Sequence, residues 1–140
     1  MVRISNQKLI KILKRNSKIK FTELARIFGV SETAVRKRIK KLEKEGIIKS
    51  YTIEVDVRGI GYKVDAFLGI DVLPEKYLQI LEDLRNDERV VDLYSTSGDH
   101  MIIARIWFKD YDDFKNYIQK LEKTEGVIKV CPATIIEKIK

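Results

Sequence analysis

The sequence predicts an α+β protein in two units: a helical front over residues 1–50, a linker strand and hinge at 51–62, and a mixed strand and helix back over 63–140. Three observations carry this. The hydrophobic period changes near Ile47 from helical spacing to alternation. The stretch from Phe21 to Lys44, FTELARIFGVSETAVRKRIKKLEK, reads as two short helices about a glycine. Charge is segregated as well. Residues 1–50 carry 15 Lys and Arg against 4 Asp and Glu, a balance of +11, whereas residues 51–140 carry 13 against 17, a balance of −4.

Taken in order, Leu9, Ile12 and Leu13 recur with helical spacing between Ile4 and Asn16, with Ile10 at the edge of the stripe. Thr22 is placed to cap the second helix, whose inner face is Leu24, Ala25 and Phe28. Gly29 supplies a left-handed turn without a Cβ penalty, and Val30 fills the angle between the helices. Ser31 then caps a third helix in which Val35, Ile39 and Leu42 form one apolar stripe. At about 100° per residue, Thr33, Lys37, Lys40, Lys41 and Lys44 point away from that stripe, with Arg36 and Arg38 at its flanks. Gly46 ends the helix. From Ile47 to Val57 the alternation predicts a small hairpin or wing followed by a strand, and Gly59 and Gly61 mark the hinge.

The back half reads as strand, helix, strand, strand, helix, strand. Lys63–Val72 is the first strand, Pro74 opens a helix with Tyr77, Leu81 and Leu84 inward, and Val90–Thr96 and Met101–Phe108 flank a turn at Ser97-Gly98-Asp99. Asp110 caps a helix carrying Phe114, Tyr117, Ile118 and Leu121, and Gly126 stops it. Val127–Glu137 is the last strand, and Pro132, which cannot donate to a ladder, places it at a sheet edge. This β-α-β-β-α-β order is the ferredoxin-like unit, whose fourth strand is an edge. The third strand is apolar on both faces, Met101, Ile103 and Trp107 alternating with Ile102, Ala104, Ile106 and Phe108, so the face opposite the helices needs a cover. The chain's own front unit or a second copy of the sheet could supply it. We favour the second copy, because a symmetric dimer also presents two readers to a two-fold DNA site.

Composition narrows the function. No run nears the roughly 18 apolar residues of a membrane span, and the basic amphipathic start lacks a signal peptide's apolar centre, so the chain is expected to be cytoplasmic, with no membrane partner. A single cysteine, Cys131, allows no internal disulfide, and a single histidine, His100, leaves no Cys/His metal set and little for catalysis; no cofactor is expected. A lysine-rich helix face is often plain solvated surface, and helix-turn-helix spacing occurs by chance. A front of +11 against a back of −4 is what tips the reading towards double-stranded DNA, through counterion release at the phosphates. The predicted DNA contacts are Ser31, Glu32, Thr33, Arg36, Lys37, Arg38, Lys40 and Lys41, with the helix start nearest the bases and the lysines on phosphates.

Three stretches, TELARIFGVSETAVRKRIKKLEKEGIIKSYTIEVD, LYSTSGDHMIIARIW and EGVIKVCPATIIEKIK, together make the chain resemble the Lrp/AsnC (feast/famine) family of prokaryotic transcription regulators over essentially its whole length. The resemblance implies a winged helix-turn-helix front and a RAM-type back that forms sheet-to-sheet dimers, often gathered into octamers, and commonly binds a small effector, usually an amino acid. It places such a site at Ser97, Gly98, Asp99 and His100. The glycine admits a ligand to backbone N–H groups, the turn can hold a carboxylate, and Asp99 faces an ammonium group. A plain β-turn has the same residues. The chain departs from the family's Thr/Ser-Gly-x-x-Asp pattern because Met101 stands where the second carboxylate belongs, and Asn6 and Gln7 stand where many members have an acidic residue.

The leading expectation is a sequence-specific DNA-binding regulator; the alternative is a small-molecule sensing module with incidental DNA binding. A haem-type decarboxylase of similar architecture would use histidine and arginine, and His100 is the sole histidine. An enzyme is not expected.

Overall fold

The structure, a computed structural model, describes residues 3–140, so Met1 and Val2 at the start of the predicted front unit lie outside the description. The chain divides into two compact units, Met1–Glu54 and Val55–Lys140.

The front unit is three helices, α1 (Asn6–Arg15), α2 (Phe21–Phe28) and α3 (Glu32–Lys44), around one core. Each gives its apolar stripe: Leu9 from α1, Leu24, Ala25 and Phe28 from α2, and Val35, Ile39 and Leu42 from α3, with Ile4 closing the core from the chain just before α1. Ser5 and Ser31 accept the backbone N–H groups of Lys8 and Ala34 at 3.3 and 3.1 Å, which satisfies donors that have no partner inside the helix. Thr22 is not the cap of α2. That helix begins two residues earlier than a Thr22 cap would set it, with Lys20 in the extended capping position and its carbonyl accepting from Glu23 and Leu24, because Phe21 is held against the core as the first helical residue. Both α2 and α3 end in the same device. Gly29 and Gly46 take φ of 64° and 72°, and the residue after each glycine donates back into the last turn, Val30 to Ala25 at 3.0 Å and Ile47 to Leu42 at 2.9 Å.

The predicted hairpin or wing and linker strand between Ile47 and Val57 do not form a ladder. Residues 49–56 have no regular secondary structure, with Tyr51 and Ile53 exposed and the Tyr51 hydroxyl donating to Glu43 at 3.0 Å. Alternation and β-branching favour extended backbone, but a strand also needs a neighbour for its N–H and C=O groups, and among the described residues the front unit supplies no strand to pair with. A short 3-10 turn, Val57–Ile60, follows.

The back unit is a four-stranded antiparallel sheet with two helices. β1 (Val64–Val72), α4 (Tyr77–Asn86), β2 (Val90–Ser95), β3 (Ile102–Phe108), α5 (Tyr111–Glu122) and β4 (Val127–Thr134) give the strand order β2-β3-β1-β4. β4 is an edge, as Pro132 requires, and Pro132 pairs with Leu68. It ends at Thr134 rather than Glu137, where its pairing with β1 closes at Ala66; the last contact is the Ile135 N–H to the Asp65 carbonyl at 2.8 Å. Ala66, Leu68, Ile70 and Val72 from β1 and Ile102, Ala104, Ile106 and Phe108 from β3 are all but sealed under Leu84 of α4 and Phe114 and Leu121 of α5. Ile80 is a core residue of α4 that the predicted inner face omits; Tyr77 and Leu81 border the same core less fully. Asp110 caps α5 through the Asp113 N–H at 2.8 Å. The Tyr117 hydroxyl donates to Asp87 at 2.8 Å, and burial first, then that carboxylate, holds its proton on far above the ordinary phenol range.

Candidate nucleic-acid interface and effector loop

The outer face of α3 is built by what the inner face must do. With Val35, Ile39 and Leu42 fixed in the core, Thr33, Lys37, Lys40, Lys41 and Lys44 are carried to solvent by helical geometry alone. Ser31 and Glu32 stand at the positive end of the helix, the serine oxygen held by its cap and the Glu32 carboxylate exposed in the first turn. Lys41 lies 3.9 Å from Glu45 across an exposed i,i+4 pair, a contact weak enough for a phosphate to replace.

The two flanking arginines differ from these and from each other. Arg36 lies with its guanidinium 4.7 Å over the Phe21 ring of α2, which fixes the plane of the group while leaving its N–H edges at the surface. Arg38 turns inward instead. Its Nη1 donates to the Ile4 carbonyl and to Asn6 Oδ1, both at 2.9 Å, so it binds α3 to the chain at the start of α1. The predicted contact set is therefore one exposed cationic face plus one half-buried cross-link. Sequence periodicity put Arg38 at the flank but could not show which group it meets 34 residues away.

The predicted effector residues fall in the loop between β2 and β3. The loop is closed by the Thr96 N–H to the Met101 carbonyl at 2.9 Å and by the Thr96 hydroxyl to the His100 carbonyl at 2.7 Å. Ser97, Gly98 and Asp99 are exposed, and Gly98 takes φ of 106°, which admits only glycine without strain. His100 is set apart from them. It folds back over the sheet, its Nδ1 3.1 Å from Asp71 of β1, and its ring lies on Gly69.

Asp71 was missed from the sequence. Its carboxylate also accepts the Met101 N–H at 3.3 Å, so β1 brings a carboxylate to the position from which Met101 removes one. The pairing of Ile70 with Ile102 is the signal that would have found it, because that register sets Asp71 beside Met101. Gly69 is equally specific. A Cβ there would stand 2.6 Å from His100 Cγ, so Gly69→Ala is expected to destabilise the protein by about 1–3 kcal/mol in denaturant unfolding. The double variant Gly69→Ala/His100→Ala should recover much of that loss. Equal destabilisation with and without the imidazole would show that the ring does not rest there.

A glycine-turned pair of helices with a cationic outer face, followed by a ferredoxin-like sheet, defines a DNA-binding transcription regulator. Residues 3–49 match the family described as winged helix-turn-helix DNA-binding, and residues 65–140 match the Lrp/AsnC ligand binding domain. The chain is 47% identical over 133 residues to the HTH-type transcriptional regulator LrpA of Pyrococcus abyssi, covering 94% of each chain. It is 31% identical over 122 residues to the HTH-type transcriptional regulator FL11 of Pyrococcus furiosus, covering 87% of this chain and 81% of that one. The solved structure of E. coli AsnC superposes with a TM-score of 0.77 at 25% identity, over 99% of this chain and 95% of that one. The chain belongs to the Lrp/AsnC family. Among the described residues no helix is long and apolar enough to cross a membrane, and no cluster of His, Cys, Asp and Glu could hold a metal.

Proposed function

We propose that this regulator binds operator DNA as a dimer closed through the open face of its C-terminal sheet, each copy docking α3 in a major groove. The observation that carries the DNA half is the outer face of α3, where Lys37, Lys40, Lys41 and Lys44 are exposed over a sealed stripe of Val35, Ile39 and Leu42. Ser31, Glu32 and Thr33 lie at the end that reaches base edges, and Arg36 and the lysines meet phosphates. Such a protein works where the DNA is, in the cytoplasm, and its partners are the duplex and its own copies rather than a reacting substrate.

The loop at Ser97, Gly98, Asp99 and His100 is proposed as the effector site, with Asp71 added. Asp71 and Asp99 offer carboxylates to an ammonium group, and the glycine exposes backbone N–H groups to a carboxylate, which together suit a free amino acid. Bound at a contact between copies, such a ligand favours the assembly that makes the contact. The test is a thermal-shift screen of the standard amino acids against the full chain. A raised Tm for one of them, lost in Asp71→Asn and in Asp99→Ala, is the expected result. No shift across the set, with assembly and DNA affinity equally indifferent, would leave a constitutive regulator whose loop is only a turn.

A further inference from the structure

We propose that the chain preceding α1 is a DNA-contacting arm, that Arg3 is its phosphate contact, and that Arg38 is the positioning residue that holds the arm beside the recognition helix. The inference rests on the DNA-binding reading and refines its contact set, adding Arg3 and giving Arg38 an indirect role.

Three observations converge. The Ile4 side chain is 8% exposed and belongs to the helical core, so the arm is anchored one residue after Arg3. The backbone at that same residue is fixed a second time, by the Arg38 Nη1 donating to the Ile4 carbonyl at 2.9 Å while also donating to Asn6 Oδ1 at 2.9 Å. Between arm and helix lies an open groove of about 580 Å3 whose polar lining is Arg3, Lys37, Arg38 and Lys41, with Ile4, Val30 and Ala34 as its apolar floor and no carboxylate.

Four cations line this groove and, among the described residues, only Lys41 has a carboxylate beside it, the exposed Glu45 at 3.9 Å; the anion that can join them is a phosphate of the duplex docked on α3. Arg3 and Lys41 are exposed and can turn to such a phosphate. Arg38 differs because it is half-buried and its Nη1 hydrogens are taken by the arm. Both bonds come from one nitrogen, and the rigid planar fork fixes the directions of its two hydrogens towards the carbonyl and the side-chain amide; a lysine ammonium at the end of a flexible stem can donate to two acceptors but holds neither direction. Charge at position 38 is thus secondary to shape. By holding the backbone at Ile4, Arg38 keeps the base of Arg3 beside the groove that Lys37 and Lys41 also line, and a cation already placed at the groove gives up less freedom on binding than a free one.

The experiment titrates the full chain against a fluorescein-labelled duplex of mixed sequence, across about 50 to 200 mM salt, the range in which phosphate contacts dominate. Arg3→Ala is expected to lower affinity several-fold and to flatten the slope of log affinity against log salt by about one unit. Arg38→Lys keeps the charge but loses the fork, and is expected to behave as Arg3→Ala does. Adding Arg3→Ala to Arg38→Lys should then change little, because the arm is already released. Asn6→Ala removes one exposed partner of Arg38 and leaves the core intact, so it should give a smaller loss in the same direction even if Arg38→Lys folds poorly. Arg38→Lys with wild-type affinity and slope would overturn the positioning role. Arg3→Ala with an unchanged slope would overturn the arm, and a simultaneous loss in Lys37→Ala/Lys40→Ala would show that DNA binding by α3 survives without it.

Discussion

Replacing Arg36 and Lys37 together by alanine is expected to lower affinity for duplex DNA by about a hundredfold near 0.1 M salt and to flatten the salt dependence of log affinity by about two units. Each phosphate neutralised by a side chain releases counterions, and two are lost here. The fold should be indifferent. Both side chains lie outside the Val35, Ile39 and Leu42 stripe, and alanine is the better helix former, so thermal unfolding should move little while binding collapses. Arg36 should carry more of the loss than its charge alone, because its plane is already set by Phe21 at 4.7 Å and little side-chain freedom remains to be given up on binding. Phe21→Leu would isolate that share, keeping an apolar side chain against the core while removing the ring. Unchanged affinity and an unchanged slope in the Arg36→Ala/Lys37→Ala protein would mean that a different face of the unit meets DNA.

What the sequence made legible follows from the range of the interactions involved. The stripes of α2 and α3, the Ser31 and Asp110 caps and the glycine stops at Gly29 and Gly46 are set within four or five residues and appear where periodicity and capping chemistry put them, whereas the stripe of α4 is shifted to include Ile80. The edge position of β4 was legible through Pro132, a residue whose missing N–H carries topological information. The failures lie where a partner distant in the chain decides. Residues 49–56 carry strand chemistry but have no ladder neighbour, β4 stops where its pairing with β1 closes at Ala66, and Thr22 yields the helix start to a neighbour whose ring is held by the core and by Arg36. The site shows the same division. The cationic face of α3 is a local consequence of its stripe, whereas the turn of Arg38 towards Ile4 and of Asp71 towards Met101 depends on pairings across 34 and 30 residues. An arginine at the flank of a stripe has the same spacing whether it faces a phosphate or a backbone carbonyl.

Ile103→Glu is expected to convert the protein from an oligomer to a monomer in light scattering at micromolar concentration. The sheet face away from α4 and α5 carries Phe67, Ile103 and Trp107 half-buried, and Tyr62 packs on Trp107 with ring centroids 5.8 Å apart. Arg105 lies among them, donating to both oxygens of Asp65 at 3.0 and 2.7 Å, stacked over Phe67 at 5.5 Å and within 3.9 Å of Asp92. This face can be covered at small electrostatic cost at Arg105, because that half-buried cation already has a bidentate partner in Asp65 and needs nothing from a second copy. The Asp65 carboxylate, by hydrogen bonding above all, holds the Arg105 proton more firmly than usual. Glutamate at 103 breaks that condition. It stands opposite Gly69, where the neighbouring His100 ring is already engaged by Asp71 and Arg105 by Asp65, and a second copy would bury the added charge without a partner of its own. Within one chain the position is half-exposed, so the isolated unit should fold nearly as before, which circular dichroism checks. Loss of the dimer should carry through to DNA, since one reader on one half-site forfeits the roughly 10²- to 10⁴-fold gain of a linked pair. A wild-type chain that scatters as a monodisperse monomer, or an Ile103→Glu variant with the wild-type mass, would remove the sheet face from the assembly.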